Sequence, residues 1–365
     1  MNGGCLLLTQ HDYLLYHLFH YRKPNPGAAS KIPLCGSEKQ RPRKSYIIEL
    51  FANGGPVEKK ILIAVDGSIH SRKAIEYTVM MESLIKDIHY TLINIQPKIS
   101  EFLIEDARMD SKARDGLKAV IDTNRKDSMR ILNEGKALMI NLGIKEDKIE
   151  TVTQPMVMGT AKGILDYAKQ ALCDAIVLGR RGMSRLAESF LGSVSSSLLE
   201  HTSVTPVWAV GGDVTSSKIM IAVDGSESAL NAVDHVSFMI GENPDVEITL
   251  LHITPRLRDY CTIDFDEEGD PLREIIAQGD KQCIDTFYTH AEQRFREAGI
   301  KKSQIDIQQV KSTINIGKTI VNEAKTGNYG TLVVGRRGVN NSFFMGSVSR
   351  SVLANASNCA IWLVP

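Results

Sequence analysis

Short apolar runs alternate with longer amphipathic stretches along most of the chain. Ile61 to Val65, Thr91 to Ile95, Ile149 to Val152, Ala175 to Leu178 and Val207 to Val210 are the first five runs, with the third the weakest. They are mostly β-branched or aliphatic and lack strict polar alternation. Such runs predict strands buried on both faces, and hence a parallel sheet covered by helices. Between them, Ala74, Ile75, Thr78 and Val79 recur at helical spacing, and Leu117 to Leu142 is one long amphipathic stretch. The series then begins again. Ile219–Val223, Ile248–Ile253, Ile305–Val310, Thr331–Val334 and Ile361–Val364 are the second set of strands, and Leu272 to Ala298 mirrors the long helix. Five strands with intervening helices predict an open α/β domain with right-handed crossovers, present twice.

Literal repeats support the duplication. Ile63-Ala64-Val65-Asp66-Gly67-Ser68 recurs as residues 221–226, Gly179-Arg180-Arg181-Gly182 as 335–338, and Gly192-Ser193-Val194-Ser195 as 346–349. The offsets of 158, 156 and 154 residues mark a duplicated whole domain, far longer than a solenoid repeat. The expected domains are 57–212 and 216–365, joined by a short polar linker. Residues 1–56 have no counterpart in either copy. Prolines including Pro24, Pro26, Pro33 and Pro42 and a basic run (Lys39, Arg41, Arg43, Lys44) predict a poorly ordered extension. Two alternatives stay open. One is a short amphipathic helix against a membrane or a partner; the other is translation starting near Val57.

Composition narrows the class. The 365 residues suit two domains, and the net charge is zero, with 43 basic and 43 acidic side chains. A globally basic nucleic-acid binder is therefore not expected, and an aromatic content of 6% argues against a stacking-based single-strand binder. The six cysteines are scattered without a CxxC, which suits free thiols and a cytoplasmic location. No apolar run approaches the ~20 residues of a membrane span.

Chemistry is expected beyond the carboxyl ends of the strands, where the strand order reverses. Asp66-Gly67-Ser68 follows the first strand, and Gly179 to Ser195 follows the fourth. In the second segment, glycines expose backbone N–H groups, and Gly192-Ser193-Val194-Ser195 opens a helical pattern. A helix N-terminus with free N–H groups is an anion site, and Arg180, Arg181 and Arg185 add positive charge. The plain alternative is that the glycines only shape a turn, with serine as helix cap.

Taken together, Gly-x2-Gly-x9-Gly-Ser after a strand, with an Asp closing the first strand, resembles the universal stress protein family. The resemblance covers both copies and leaves out the prefix. It implies two tandem, open, parallel-sheet, Rossmann-like domains of the adenine nucleotide alpha hydrolase-like type. It also implies a stress-response or regulatory protein that binds ATP, with or without Mg2+. Carried over residue by residue, the implied nucleotide contacts of the first copy are Asp66, Ile95, Leu178, Gly179, Arg181, Gly182, Gly192, Ser193, Val194 and Ser195. Those of the second are Asp224, Ile253, Val334, Gly335, Arg337, Gly338, Gly346, Ser347, Val348 and Ser349. The second copy departs from the pattern, with seven residues between Gly338 and Gly346 where the first copy has nine. Its site is therefore expected to be the weaker. Fifth strands pair between subunits in the family. One chain holding two of them should form an intramolecular pseudo-dimer, with homo-oligomers and an unidentified protein partner left open.

Other motifs are weaker. Gly317-Lys318-Thr319 resembles the tail of a P-loop but lacks the first glycine, since position 312 is Ser312, so a helix start is expected. Asp264-x-Asp266-x-Glu268-Gly269 mimics a calcium loop, yet its twelfth position is Ile275. Cys173 and Cys359 lie beside apolar runs and read as buried small hydrophobes; His252 reads as a satisfied structural histidine. No Ser, His and Asp set recurs in both copies. Catalysis is expected to be at most slow ATP hydrolysis or autophosphorylation. The alternatives are an interaction module that binds no nucleotide and a slow ATPase.

Overall fold

The computed structural model describes residues 58–180, 192–241, 243–255, 271–312, 315–338 and 345–365. The first copy contains β1 (Lys59–Ala64), α1 (Ile69–Met80), β2 (Ile88–Ile95), α2 (Glu101–Met109), α3 (Ser111–Asn141), β3 (Ile149–Gln154), α4 (Thr160–Gln170), β4 (Ala175–Arg180), α5 (Ser193–His201) and β5 (Val207–Gly211). The second contains β6 (Ile219–Val223), α6 (Glu227–Ile240), β7 (Ile248–Thr254), α7 (Pro271–Glu297), β8 (Ile305–Lys311), α8 (Ile316–Thr326), β9 (Thr331–Gly335), α9 (Ser347–Asn355) and β10 (Cys359–Val364). No described helix is long and apolar enough to cross a membrane.

Residues 98–126 form a compact unit of their own. There α2 runs into α3 through a tight corner, where Asp110 Oδ2 accepts from the Ala113 N–H and Arg114 Nε donates to the Ala107 carbonyl. Helix α2 lies outside every pattern read from the sequence.

The sheet body comprises residues 58–97 and 127–365. Its ten strands lie in the order β3-β2-β1-β4-β5-β10-β9-β6-β7-β8. Every pairing is parallel except that between β5 and β10, which is antiparallel. Each copy therefore has the order 3-2-1-4-5, and the two join edge to edge into one sheet. The unalternating apolar runs have the expected cause. In β1, Ile61 and Ile63 enter the core on one face while Leu62 enters the core on the other.

The junction centres on the chain's two tryptophans. Trp208 and Trp362 are directly opposed in the antiparallel register, with parallel rings and centroids 3.9 Å apart. Both are fully buried. Each indole N–H crosses to the other copy: Trp362 Nε1 donates to Tyr77 Oη at 2.8 Å, and Trp208 Nε1 donates to His235 Nε2 at 3.0 Å. Tyr77 on α1 and His235 on α6 are equivalent positions, 158 residues apart. Tyr77 Oη also bonds Thr331 Oγ1 of β9, at 2.8 Å. Pairing the two fifth strands removes two bare sheet edges at once.

Candidate functional site

Within each copy the strand order reverses between the first strand and the fourth. That places the two motif segments side by side at the carboxyl edge of the sheet. After β1 the chain turns sharply at Gly67, whose φ is +76°; after β6 it does so at Gly225, at +79°. An L side chain disfavours such angles, so glycine is required at both. The turn is completed by the preceding acid. Asp66 Oδ1 accepts from the Ser68 N–H at 2.9 Å, and Asp224 Oδ1 from the Ser226 N–H at 3.1 Å. Ser68 and Ser226 then cap α1 and α6. Each acid is exposed.

Burial raises the Asp66 pKa, but hydrogen bonds from Ser68 and Ser71 outweigh it, so the net shift is downward. The folded state therefore favours the ionised carboxylate. This contribution to stability is full above about pH 4 and is lost as pH falls through the lower folded value. Asp66→Asn is expected to flatten the acid limb of a denaturation-midpoint-against-pH curve. An acid limb identical to wild type would show that these bonds do not favour the charge.

The second segment begins at the ends of β4 and β9. A Cβ on Gly179 would lie 2.1 Å from the His70 carbonyl oxygen, and one on Gly335 would lie 2.6 Å from Ser228 Oγ. These glycines let the first helix of each copy approach the fourth strand, so their role is packing. Gly192 and Gly346 differ. Their φ angles of −55° and −61° suit any residue. Among the described residues, a Cβ there would meet nothing closer than 3.9 Å and 3.6 Å respectively. Both glycines are the N-caps of α5 and α9, and no side chain caps either helix. The alternative with serine as cap does not hold: Ser193 and Ser347 are already the first helical residues. Ser195 Oγ and Ser349 Oγ instead donate back to the Gly179 and Gly335 carbonyls, at 3.3 and 2.6 Å, tying helix start to strand end.

In the second copy the segments demonstrably meet. A Cβ on Gly338 would lie 3.3 Å from Asp224 Oδ2, and one on Gly346 would lie 3.6 Å from the Gly338 nitrogen. The Arg337 N–H donates to Ser228 Oγ at 3.2 Å, and the short loop closes with the Gly346 N–H on the Arg336 carbonyl at 2.9 Å. Leu178, Val334 and Ile253 bury their side chains in the core, which leaves only backbone to offer a ligand; Ile95 is half-buried at the end of β2. Arg181, Gly182 and Arg185 lie outside the described residues, as does the acidic loop at 264–269.

Comparison with known proteins agrees with this arrangement. The model of the universal stress protein family matches residues 58–211 and again 215–365. The chain belongs to the universal stress protein family. A universal stress protein of Mycolicibacterium smegmatis is 24% identical over 228 residues, covering 60% of this chain and 73% of that protein. The universal stress protein YxiE of Bacillus subtilis is 28% identical over 166 residues, covering 41% of this chain and 97% of its own. A crystal structure of a universal stress protein from Archaeoglobus fulgidus superposes with a TM-score of 0.58 at 20% identity, over 84% of this chain and 97% of that one. That likeness supports the same tandem, Rossmann-like architecture.

One reading of the universal stress protein motif needs correcting. Arg180 does not add charge to the anion site. It is 2% exposed and reaches across the junction, donating from Nη1 to the Leu353 carbonyl at 3.3 Å and from Nη2 to the Ala356 carbonyl. Its equivalent, Arg336, donates to the Glu200 carbonyl of the first copy. Gly211, the last residue of β5, makes room for this, since a Cβ there would sit 2.7 Å from the Arg180 guanidinium carbon. No sequence pattern distinguishes this arginine from the one that follows it.

The remaining candidates behave as the sequence suggested. Gly317-Lys318-Thr319 lies in the first turn of α8, capped by Asn315, and a Cβ on Gly317 would strike Ser351 at 2.6 Å. It is a helix-packing glycine. Burial pushes the Cys173 thiol up to about 11 and raises Cys359 as well, which keeps both thiols protonated near neutrality. His252 is buried and bonded on both sides, to the Val223 carbonyl and to Asp280 Oδ2, each at 3.0 Å. Its counterpart Asn94 makes the same contact, to the Val65 carbonyl at 2.7 Å.

Proposed function

We propose that each copy of this universal stress protein binds an adenine nucleotide, ATP foremost, and that occupancy sets the conformation a protein partner reads. The observation that carries the reading is the pair Gly192 and Gly346. Among the described residues nothing requires glycine there: the backbone angles are ordinary, and a Cβ would meet only ordinary van der Waals contacts, at 3.9 Å and 3.6 Å. Absence of a side chain at an uncapped helix start, in both copies, is what a backbone approach to phosphate requires. The phosphates would lie on the N–H groups of Ser193 to Ser195 and of Ser347 to Ser349. Asp66 and Asp224, as ionised acceptors, would repel phosphate and take donors from the base or the ribose. Mg2+, where present, would enter as the counterion of the phosphates. The copies so assigned span 57–212 and 216–365, and the expected setting is a cytoplasmic stress or regulatory response.

The test is mass spectrometry of nucleotide released from purified protein, followed by calorimetric titration with ATP. Gly192→Val is expected to abolish binding in the first copy with the fold intact, and Gly346→Val to do so in the second. The first copy is expected to bind more tightly. The second has the shorter loop, and its Gly346 N–H is already bonded to the Arg336 carbonyl. A larger loss from Gly346→Val would overturn that ranking. No released nucleotide and no heat with ATP would leave an interaction module of the same fold.

A further inference from the structure

The two candidate sites are joined by two short helices, each held at its far end by the opposite copy. Helix α5 offers its first turn to the first site, and near its last turn the Glu200 carbonyl accepts from Arg336. Helix α9 offers its first turn to the second site, and at its end the Leu353 and Ala356 carbonyls accept from Arg180. Nine residues make each helix about 13 Å long at ~1.5 Å per residue. Arg180 stands between Gly179 and Arg181, and Arg336 between Gly335 and Arg337. The residue that grips one copy's helix is therefore part of the other copy's glycine segment.

Both guanidinium groups are buried, at 2% and 5% exposure, and among the described residues the Nε of each has no hydrogen-bond partner, while Arg180 also lies against the Cys359 side chain. The partners described for them are chiefly carbonyl groups at helix C-termini. Carbonyl ends carry the negative pole of the helix dipole, and the free N–H ends carry the positive pole. A phosphate at the start of α9 and the Arg180 guanidinium at its end thus complement the same dipole. The arrangement is reciprocal in α5.

We propose that the two nucleotide sites are thermodynamically coupled through this reciprocal arginine clamp, with Arg180 and Arg336 as positioning residues, so that nucleotide in one copy raises the affinity of the other. The proposal rests on the nucleotide reading above. An anion that seats α9 also orders its C-terminal carbonyls. Those carbonyls hold Arg180, and through it the start of the first copy's glycine segment. Linkage makes the effect equal in both directions.

The experiment is titration of the full chain with ATP, in wild type and in Gly192→Val and Gly346→Val, which leave one site each. The overall two-site binding constant of wild type is expected to exceed the product of the two single-site constants by about fivefold or more. With Arg180→Met in all three backgrounds, that ratio is expected to fall to within twofold of unity. Should Arg180→Met fail to fold, Arg180→Lys serves: it keeps the charge but cannot hold two carbonyls in a fork, and the ratio is expected to drop. A ratio of unity in the wild-type clamp, or a ratio unchanged by the clamp variants, overturns the coupling while leaving the nucleotide reading standing. No heat in any background overturns the nucleotide reading itself, and the coupling with it.

Discussion

Gly179→Ala is expected to destabilise the protein by about 3 kcal/mol or more, the upper range for overpacking a tight contact. The added Cβ would lie 2.1 Å from the His70 carbonyl oxygen, 2.3 Å from its carbon and 2.8 Å from the Ser71 nitrogen. All three are backbone atoms at the start of α1, so no side chain can swing aside to relieve the overlap. Helix α1 would have to withdraw from β4. That motion would also disturb Tyr77, whose hydroxyl holds the junction. Gly335→Ala meets the Ser228 backbone and hydroxyl in the same way, at 2.6 to 2.9 Å. Gly192→Ala is the control. Its Cβ overlaps no described atom, and a change of about 1 kcal/mol or less is expected, the difference between Gly and Ala at an N-cap. Urea denaturation followed by circular dichroism separates the three variants. A wild-type midpoint for Gly179→Ala would show that the helix does not approach the strand this closely.

Trp362→Ala is expected to cost about 3–5 kcal/mol, the usual range for emptying a large aromatic from a core. The side chain is fully buried, and its ring stacks on Trp208 at 3.9 Å. Truncation leaves a cavity in a core that the two copies share. Trp362→Phe separates packing from hydrogen bonding. It keeps an aromatic ring but loses the N–H to Tyr77, whose hydroxyl retains Thr331, and part of the indole volume. A loss of about 1–3 kcal/mol, smaller than for Ala, is expected for that variant. The two rings are the chain's only tryptophans, so fluorescence and near-ultraviolet circular dichroism report directly on the junction. Equal costs for Ala and Phe would mean that the indole N–H, and not the stack, holds the copies together.

The strands, the long helices and the duplication could be read from the sequence because each is a local pattern. An unalternating run such as Ile61–Val65 is apolar on every residue because both faces of its strand are covered, and that condition is written within a few positions. The Asp-Gly-Ser segments were legible as repeats at the strand ends, but their turns, in which the acid accepts from the serine N–H two residues on, emerged only from the structure. Helix α2 carried no comparable stripe, with Phe102 and Met109 both exposed.

Sequence could not sort the glycines or the arginines of the shared motif. Gly179 and Gly192 look alike in a pattern. Only the fold shows that the first is pressed against His70 while a Cβ on the second would meet no described atom closer than 3.9 Å. Arg180 and Arg181 are adjacent and chemically identical, yet Arg180 leaves its own copy to hold the end of α9. The sequence by itself determined which segments are strands and that the domain occurs twice. The tertiary structure decided which glycine serves packing, which arginine crosses the junction and which side chain receives each indole N–H. Periodicity and turn chemistry act over a few residues, whereas those assignments depend on groups far apart in the chain, and their distances exist only once the sheet has formed.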